Sequence, residues 1–180
     1  MPFWYRHTAS GQRRWRKGRL LCVGLWLLGL LWPQRLIIPV AGASEADWHP
    51  DSFWYYPWGS SITHKGIDIF SEKNTPVLAA TDGWVLGRGT LTKGGNFLLV
   101  LGPKWRLHYY AHLDAYQVSW FQPIRRGQHI ATVGNSGNAQ GKPPHLHYSL
   151  MSLLPLPWRI DGARQGWLKM VFLNPLDHFP

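Results

Sequence analysis

Cysteine is almost missing from this chain. Its one copy, Cys22, precedes residue 44, so residues 44–180 can hold no disulfide, no thiolate metal ligand and no thiol nucleophile. Lipidation at Cys22 is disfavoured, because Arg19-Leu20-Leu21 lacks a small residue just ahead of it. Acidic residues are absent from the first 43 positions: all nine lie beyond Ala43. Seven of the nineteen lysines and arginines (Arg6, Arg13, Arg14, Arg16, Lys17, Arg19 and Arg35) fall before Ser44. The net charge of +10 is thus concentrated at the N-terminus. Residues 44–180 carry twelve basic and nine acidic side chains with no dense basic run, which argues against nucleic acid as a partner. No uninterrupted apolar run reaches the roughly 20 residues that cross a bilayer. Beyond residue 44 no stretch keeps a helical period for three turns, and no internal repeat is present. With 45% hydrophobic and 16% charged residues, global disorder is excluded, and 180 residues suit one core better than two.

The N-terminus, by contrast, has the layout of an export segment. A basic stretch ending at Arg19 precedes thirteen apolar residues, Leu20 to Trp32, and Ala41-Gly42-Ala43 supplies the small side chains a signal peptidase accepts. Residues 1–43 are therefore expected to be a signal peptide or membrane anchor, and residues 44–180 one exported domain. Pro33-Gln34-Arg35 interrupts the apolar run before Leu36 to Val40 resumes it. Cleavage is the favoured reading; an uncleaved anchor from Leu20 to about Val40 is the alternative. Both place the domain outside the inner membrane, periplasmic or secreted, with membrane contact only through an uncleaved N-terminal segment.

Short apolar runs then alternate with turns: 66–70, 76–80, 83–87, 96–101, 107–113, 129–133 and 145–150. Glycine-bearing turns at 81–83, 93–95, 126–127 and 135–138 separate most of them. This cadence predicts an all-β, compact antiparallel sandwich or barrel-like domain. Of the eight tryptophans beyond residue 44, most are expected in the core and sheet rims, with Trp54 or Trp58 as candidates to line a groove.

Three histidine motifs carry chemistry. His64-Lys65-Gly66-Ile67-Asp68 places a histidine and an aspartate on one face of an extended strand. Full extension would separate their Cα atoms by roughly 13 Å, so the chain must bend near Lys65-Gly66 for both to reach one ion. Gly66 is expected to leave space for that ion. His145-Leu146-His147 points two imidazoles to one side of a strand, and Tyr110-Ala111-His112-Leu113 puts Tyr110 and His112 on a common face, with His108 in step. Each motif alone is common in a chain with nine histidines. A catalytic zinc, however, takes three protein ligands and keeps a position open for water.

As an ordered set, these motifs closely resemble the lysostaphin/LytM-type zinc metallopeptidases. The likeness rests on the His64 to Ile69 phrase, Thr75-Pro76-Val77, Ala79 to Val85, Gly95-Asn96, Tyr110 to Leu113, Pro144 to Tyr148 and Asn174-Pro175-Leu176. It implies Zn2+ as cofactor, held by His64, Asp68 and His147, with His112 and His145 catalytic. It also implies peptidoglycan as substrate, cut at peptide cross-links or stem peptides, with a regulatory or targeting protein as a further partner. Two other functions stay open: a non-catalytic wall-binding protein or amidase activator, and a secreted peptidase for glycine-rich proteins. Relatives of the non-catalytic kind typically lose zinc ligands, whereas this chain keeps all three. One departure is visible: an acidic residue commonly follows the last motif in that family, but here Tyr148 leads to Ser149. Gly134-Asn135-Ser136-Gly137 falls short of a serine-hydrolase elbow, so Ser136 is not expected to be a nucleophile.

Overall fold

Beyond residue 66, apolar side chains recur at every second position and glycines reverse the chain at short intervals, so successive segments pair antiparallel. The computed structural model describes residues 9–180; Arg6 and His7 of the basic stretch lie outside the described residues. A helix, α1 (Ala9–Leu31), precedes nine strands. These are β1 (Ile67–Phe70), β2 (Pro76–Leu78), β3 (Gly83–Leu91), β4 (Gly95–Gly102), β5 (Arg106–Tyr116), β6 (Pro123–Ile124), β7 (His129–Val133), β8 (His145–Ser152) and β9 (Phe172–Leu173). The expected all-β, antiparallel domain is the one that forms. Its main path runs β1-β8-β5-β4-β3-β6, with β9 on β8 and β2 on β7. The far end of β5 leaves β4 through a bulge and pairs with β7, Leu113 opposite Val133. That turn folds the sheet back over one core, where Ile67, Ile69, Val77, Leu98, Ile130 and Leu146 are fully buried.

Strand β8 is covered on both faces. Leu146, Tyr148 and Leu150 enter the core, while His145, His147 and Ser149 alternate to the other side. The phenols of Tyr110 and Tyr148 are buried but satisfied: Ala80 N–H donates to the Tyr110 hydroxyl (3.0 Å), and His108 Nδ1 lies 2.6 Å from that of Tyr148.

The N-terminal segment departs from a continuous anchor. Helix α1 stops at Leu31, two residues before Pro33, because proline has no N–H to donate and disfavours helix in the residue before it. The chain then runs extended along β2. Ile37 N–H donates to Ala80 O, Leu78 N–H to Pro39 O and Ala41 N–H to Pro76 O, each at 3.0 Å, and Val40 bridges to Val77. Leu36 and Val40 are buried in the core, where each contributes about 1.5–3 kcal/mol through lost contact with water. Gln34 reaches a buried polar cluster beside them. Its amide oxygen accepts from Arg106 Nη1, and its amide nitrogen donates to His108 Nε2 at 3.1 Å.

His108 is therefore a core residue rather than a groove residue. Burial, with the positive charge of Arg106 beside it, pushes its pKa down from 6.5 to about 3. As pH falls below 6.5 the unfolded chain binds a proton at this position while the native chain does not, so stability drops with falling pH until the folded value is reached. Between pH 6.5 and 5 the loss from this one group is about 2 kcal/mol. Urea unfolding of the full chain, with chelator present, should show that slope, and His108→Gln should flatten it; an unchanged slope would mean that His108 titrates normally.

Candidate metal centre

The register of β1 on β8 sets Asp68 opposite His147 and Phe70 opposite His145. His64 lies just before β1, and the Lys65-Gly66 bend brings its ring back over the strand. Gly66 serves a different purpose from the one its sequence context suggests. A Cβ there would sit 2.6 Å from Ser149 Oγ and Tyr148 O and 2.9 Å from His147 Cε1, so glycine permits β8 to approach rather than making space for an ion.

Three donor atoms converge as a result. His64 Nε2 is 3.1 Å from Asp68 Oδ1 and 3.0 Å from His147 Nδ1, and His147 Nδ1 is 2.8 Å from Asp68 Oδ1. Among the described residues this is the trio spaced to hold a metal ion. Ligand atoms around a tetrahedral zinc with bonds near 2.05 Å stand ~3.3 Å apart, so the trio needs to open by only a few tenths of an ångström. The opposite ring nitrogens are already occupied. His64 Nδ1 donates to Ser52 O (2.8 Å), which leaves Nε2 with its lone pair toward the trio. His147 Nε2 lies 2.9 Å from Ser149 Oγ. The hydroxyl that stands where an acidic residue is usual thus orients this imidazole. Burial raises the Asp68 carboxyl, but the hydrogen-bonding contacts with His147 and His64 outweigh it and hold the group below the usual carboxylate range. Burial lowers His147, favouring its neutral form.

His112 and His145 face the trio across a cleft of about 330 Å³ lined also by Trp58, Phe70, Lys142 and Pro143. Their rings are 4.9 Å apart, edge to face, and His145 Nε2 is 3.9 Å from Asp68 Oδ2. Each donates Nδ1–H to a main-chain carbonyl at 2.9 Å, Ser136 O for His112 and Pro143 O for His145, so each presents Nε2. Burial pushes His112 down to about 4, which keeps it neutral at pH 7. His112 does not share a face with Tyr110. Its φ of +61° breaks the alternation of β5, so Tyr110 enters the core while Ala111 and His112 both border the site. The turn at Gly94-Gly95 and the loop at Ser136-Gly137 hold that kink. Gly94 O accepts from His112 N–H (2.8 Å), and a Cβ on Gly95 would lie 2.5 Å from Gly137 N. Ser136 Oγ is spent on Leu113 O and Asn96 N–H, a structural role.

Trp58 stacks on His64, ring centroids 4.1 Å apart, and walls both this cleft and a smaller one of about 190 Å³ beside Lys93 and Tyr109. Trp54 instead donates its indole N–H to Arg164 O and packs on Phe172. Larger hollows lie along α1 at Trp15 and Cys22, and between Trp84 and Trp105, away from the histidines.

Two imidazoles and a carboxylate on an antiparallel sheet, faced by two further imidazoles, are spaced so that the first three could hold a metal ion. The chain belongs to peptidase family M23, whose profile matches residues 62–155. It is 34% identical over 88 residues to the peptidoglycan DD-endopeptidase ShyA of Vibrio cholerae, covering 49% of this chain and 20% of that protein. It is 31% identical over 111 residues to the murein hydrolase activator NlpD of Escherichia coli, covering 56% and 28%. The chain thus spans under a third of the length of these relatives. The catalytic domain of the antimicrobial peptidase lysostaphin from Staphylococcus simulans superposes with a TM-score of 0.52 at 30% identity, over 56% of this chain and 76% of that one.

Replacing Ser149 by alanine should weaken zinc affinity about 10–100-fold in a chelator-competition titration, because the His147 ring loses the partner that fixes it. Unchanged affinity would show that the hydroxyl does not orient the ring.

Proposed function

We propose that the chain is a zinc metalloendopeptidase that hydrolyses peptide cross-links or stem peptides of peptidoglycan. The observation that carries this reading is the 2.8–3.1 Å convergence of His64, Asp68 and His147 beside two imidazoles whose Nε2 atoms face the same cleft. His64 Nε2, Asp68 Oδ1 and His147 Nδ1 would hold the ion, with Ser52 O and Ser149 Oγ fixing the two rings. Zinc bound there supplies Lewis acidity toward the scissile carbonyl and an acidified water. His112, neutral at pH 7, can accept a proton at Nε2, and either it or His145 can return one to the leaving amine or donate a hydrogen bond to the developing oxyanion. Trp58 and Phe70 offer apolar walls for an extended peptide, and Lys142 offers a cation for its carboxylates. The family shared with ShyA supports the substrate class.

The likeness to NlpD favours one rival, an activator that binds wall and leaves the cutting to another protein. The supporting shell of this chain speaks for catalysis, since all five site residues are present and four imidazoles have their second nitrogen engaged.

His64→Ala and Asp68→Ala should each lose zinc and activity together, read by metal analysis and by release of muropeptides from sacculi. His145→Ala should keep zinc while turnover falls about 10²–10⁴-fold, the usual contribution of a positioned acid or base. Loss of zinc in His145→Ala would make it a ligand. Digestion of purified sacculi with and without chelator, followed by mass spectrometry, should reveal new peptide termini that depend on zinc. If the zinc-loaded protein leaves sacculi intact, the activator reading takes over.

A further inference from the structure

The leader and the domain are joined in a way that bears on processing. We infer that the chain is not cut at Ala41-Gly42-Ala43, and that α1 stays attached and holds the domain to a bilayer with anionic headgroups. This goes beyond the peptidase reading and does not rest on it.

A cut after Ala43 would remove Leu36 and Val40, which are 5% and 2% exposed, from the core. It would also remove the main-chain partners of Ala80, Leu78 and Pro76 along β2. Gln34 would leave with them. Its single amide serves the half-buried Arg106, from which it accepts, and the buried His108, to which it donates, and nothing else among the described residues donates to His108 Nε2. The site proposed for signal peptidase is therefore folded structure, with Ala43 N–H bonded to Val40 O and Ala41 N–H to Pro76 O. A peptidase that needs an extended substrate meets a paired one.

The helix that remains is covered by the domain only near its C-terminal end, where Trp105 packs at Gly29. Leu20, Leu21, Leu28 and Leu31, on one side of the helix, are 65–76% exposed, and Val23, Leu25, Trp26 and Leu27, spread around the remaining sides, are 44–56% exposed. A helix that is apolar all round is one whose surroundings are apolar. The opposite end is cationic, with Arg13, Arg14, Arg16, Lys17 and Arg19 and no acidic residue, which complements anionic headgroups. No helix among the described residues is long and apolar enough to cross a membrane unaided. The apolar part, Leu20 to Trp32, measures about 20 Å against a hydrocarbon core of about 30 Å. Basic side chains that reach outward from the first half, and tryptophans at the other end, are the groups that close such a gap. Trp105 Nε1–H donates to Trp26 O (2.9 Å), so the domain sits against that end of the helix.

The test is to produce the full chain in a bacterium and follow the folded protein by fractionation and intact mass. The expected species retains residues 34–40 and α1, sediments with membranes, and resists both high salt and alkaline carbonate. A soluble species beginning at Ser44 would overturn the inference. So would an intact chain in the soluble fraction, or one that salt alone releases. In the full chain, Val40→Ala should lower the thermal midpoint by several degrees; an unchanged midpoint would remove residues 36–40 from the working core and overturn the argument against cleavage. None of these readouts requires zinc or turnover, so they can fail independently of the peptidase reading.

Discussion

The arrangement of the site depends on one strand pairing. β1 and β8 run antiparallel with Asp68 directly opposite His147, and this register alone puts a carboxylate and an imidazole from segments 79 residues apart within 2.8 Å. A slip by one residue would send His147 into the core and Tyr148 into the cleft, since side chains alternate with a period of two. Tyr148 and Leu146 on the core side resist such a slip, because burying two imidazoles in their place would leave polar nitrogens without partners. Packing on one face of β8 thus fixes the chemistry on the other. Gly66 completes the constraint by allowing the backbone of Tyr148 to come close enough for His64 to close the trio.

Much of this was legible in the amino-acid pattern. The runs read as strands at 83–87, 96–101, 107–113, 129–133 and 145–150 all lie within observed strands, because alternation and turn glycines are local signals. The short strands β6 and β9, two residues each, carry too little pattern to be seen. At the site, alternation also placed His145 and His147 together. It failed at His112, where a positive φ, unpredictable from a non-glycine residue, rotates the ring away from Tyr110. It failed again at His108, whose even spacing is real but leads into the core, toward Tyr148 and Gln34. Gln34 itself looked like a break in an apolar run. Only its partners, 72 and 74 residues away, show why a polar residue stands there.

The groups that orient the imidazoles were largely hidden for a related reason. Ser52, Ser136 and Pro143 hold the rings through main-chain carbonyls, which any residue could supply, so that role leaves no signal in the sequence. Ser149 had one: two positions beyond His147 on a strand, it must share that face. Membership of family M23 does not by itself separate an endopeptidase such as ShyA from an activator such as NlpD, since both share the domain. In this chain each of the four rings is held through its second nitrogen, and main-chain oxygens do that for three of them.

The two clefts that meet at His147 carry a lopsided charge. Lys142 borders one and Lys93 the other, while Asp68 is the single acidic residue on either lining. A divalent ion bound by one carboxylate and two neutral imidazoles would keep an uncompensated positive charge pointing the same way. Field lines from such a hollow converge at its mouth, which would raise the local concentration of anionic ligands and speed their arrival at low ionic strength.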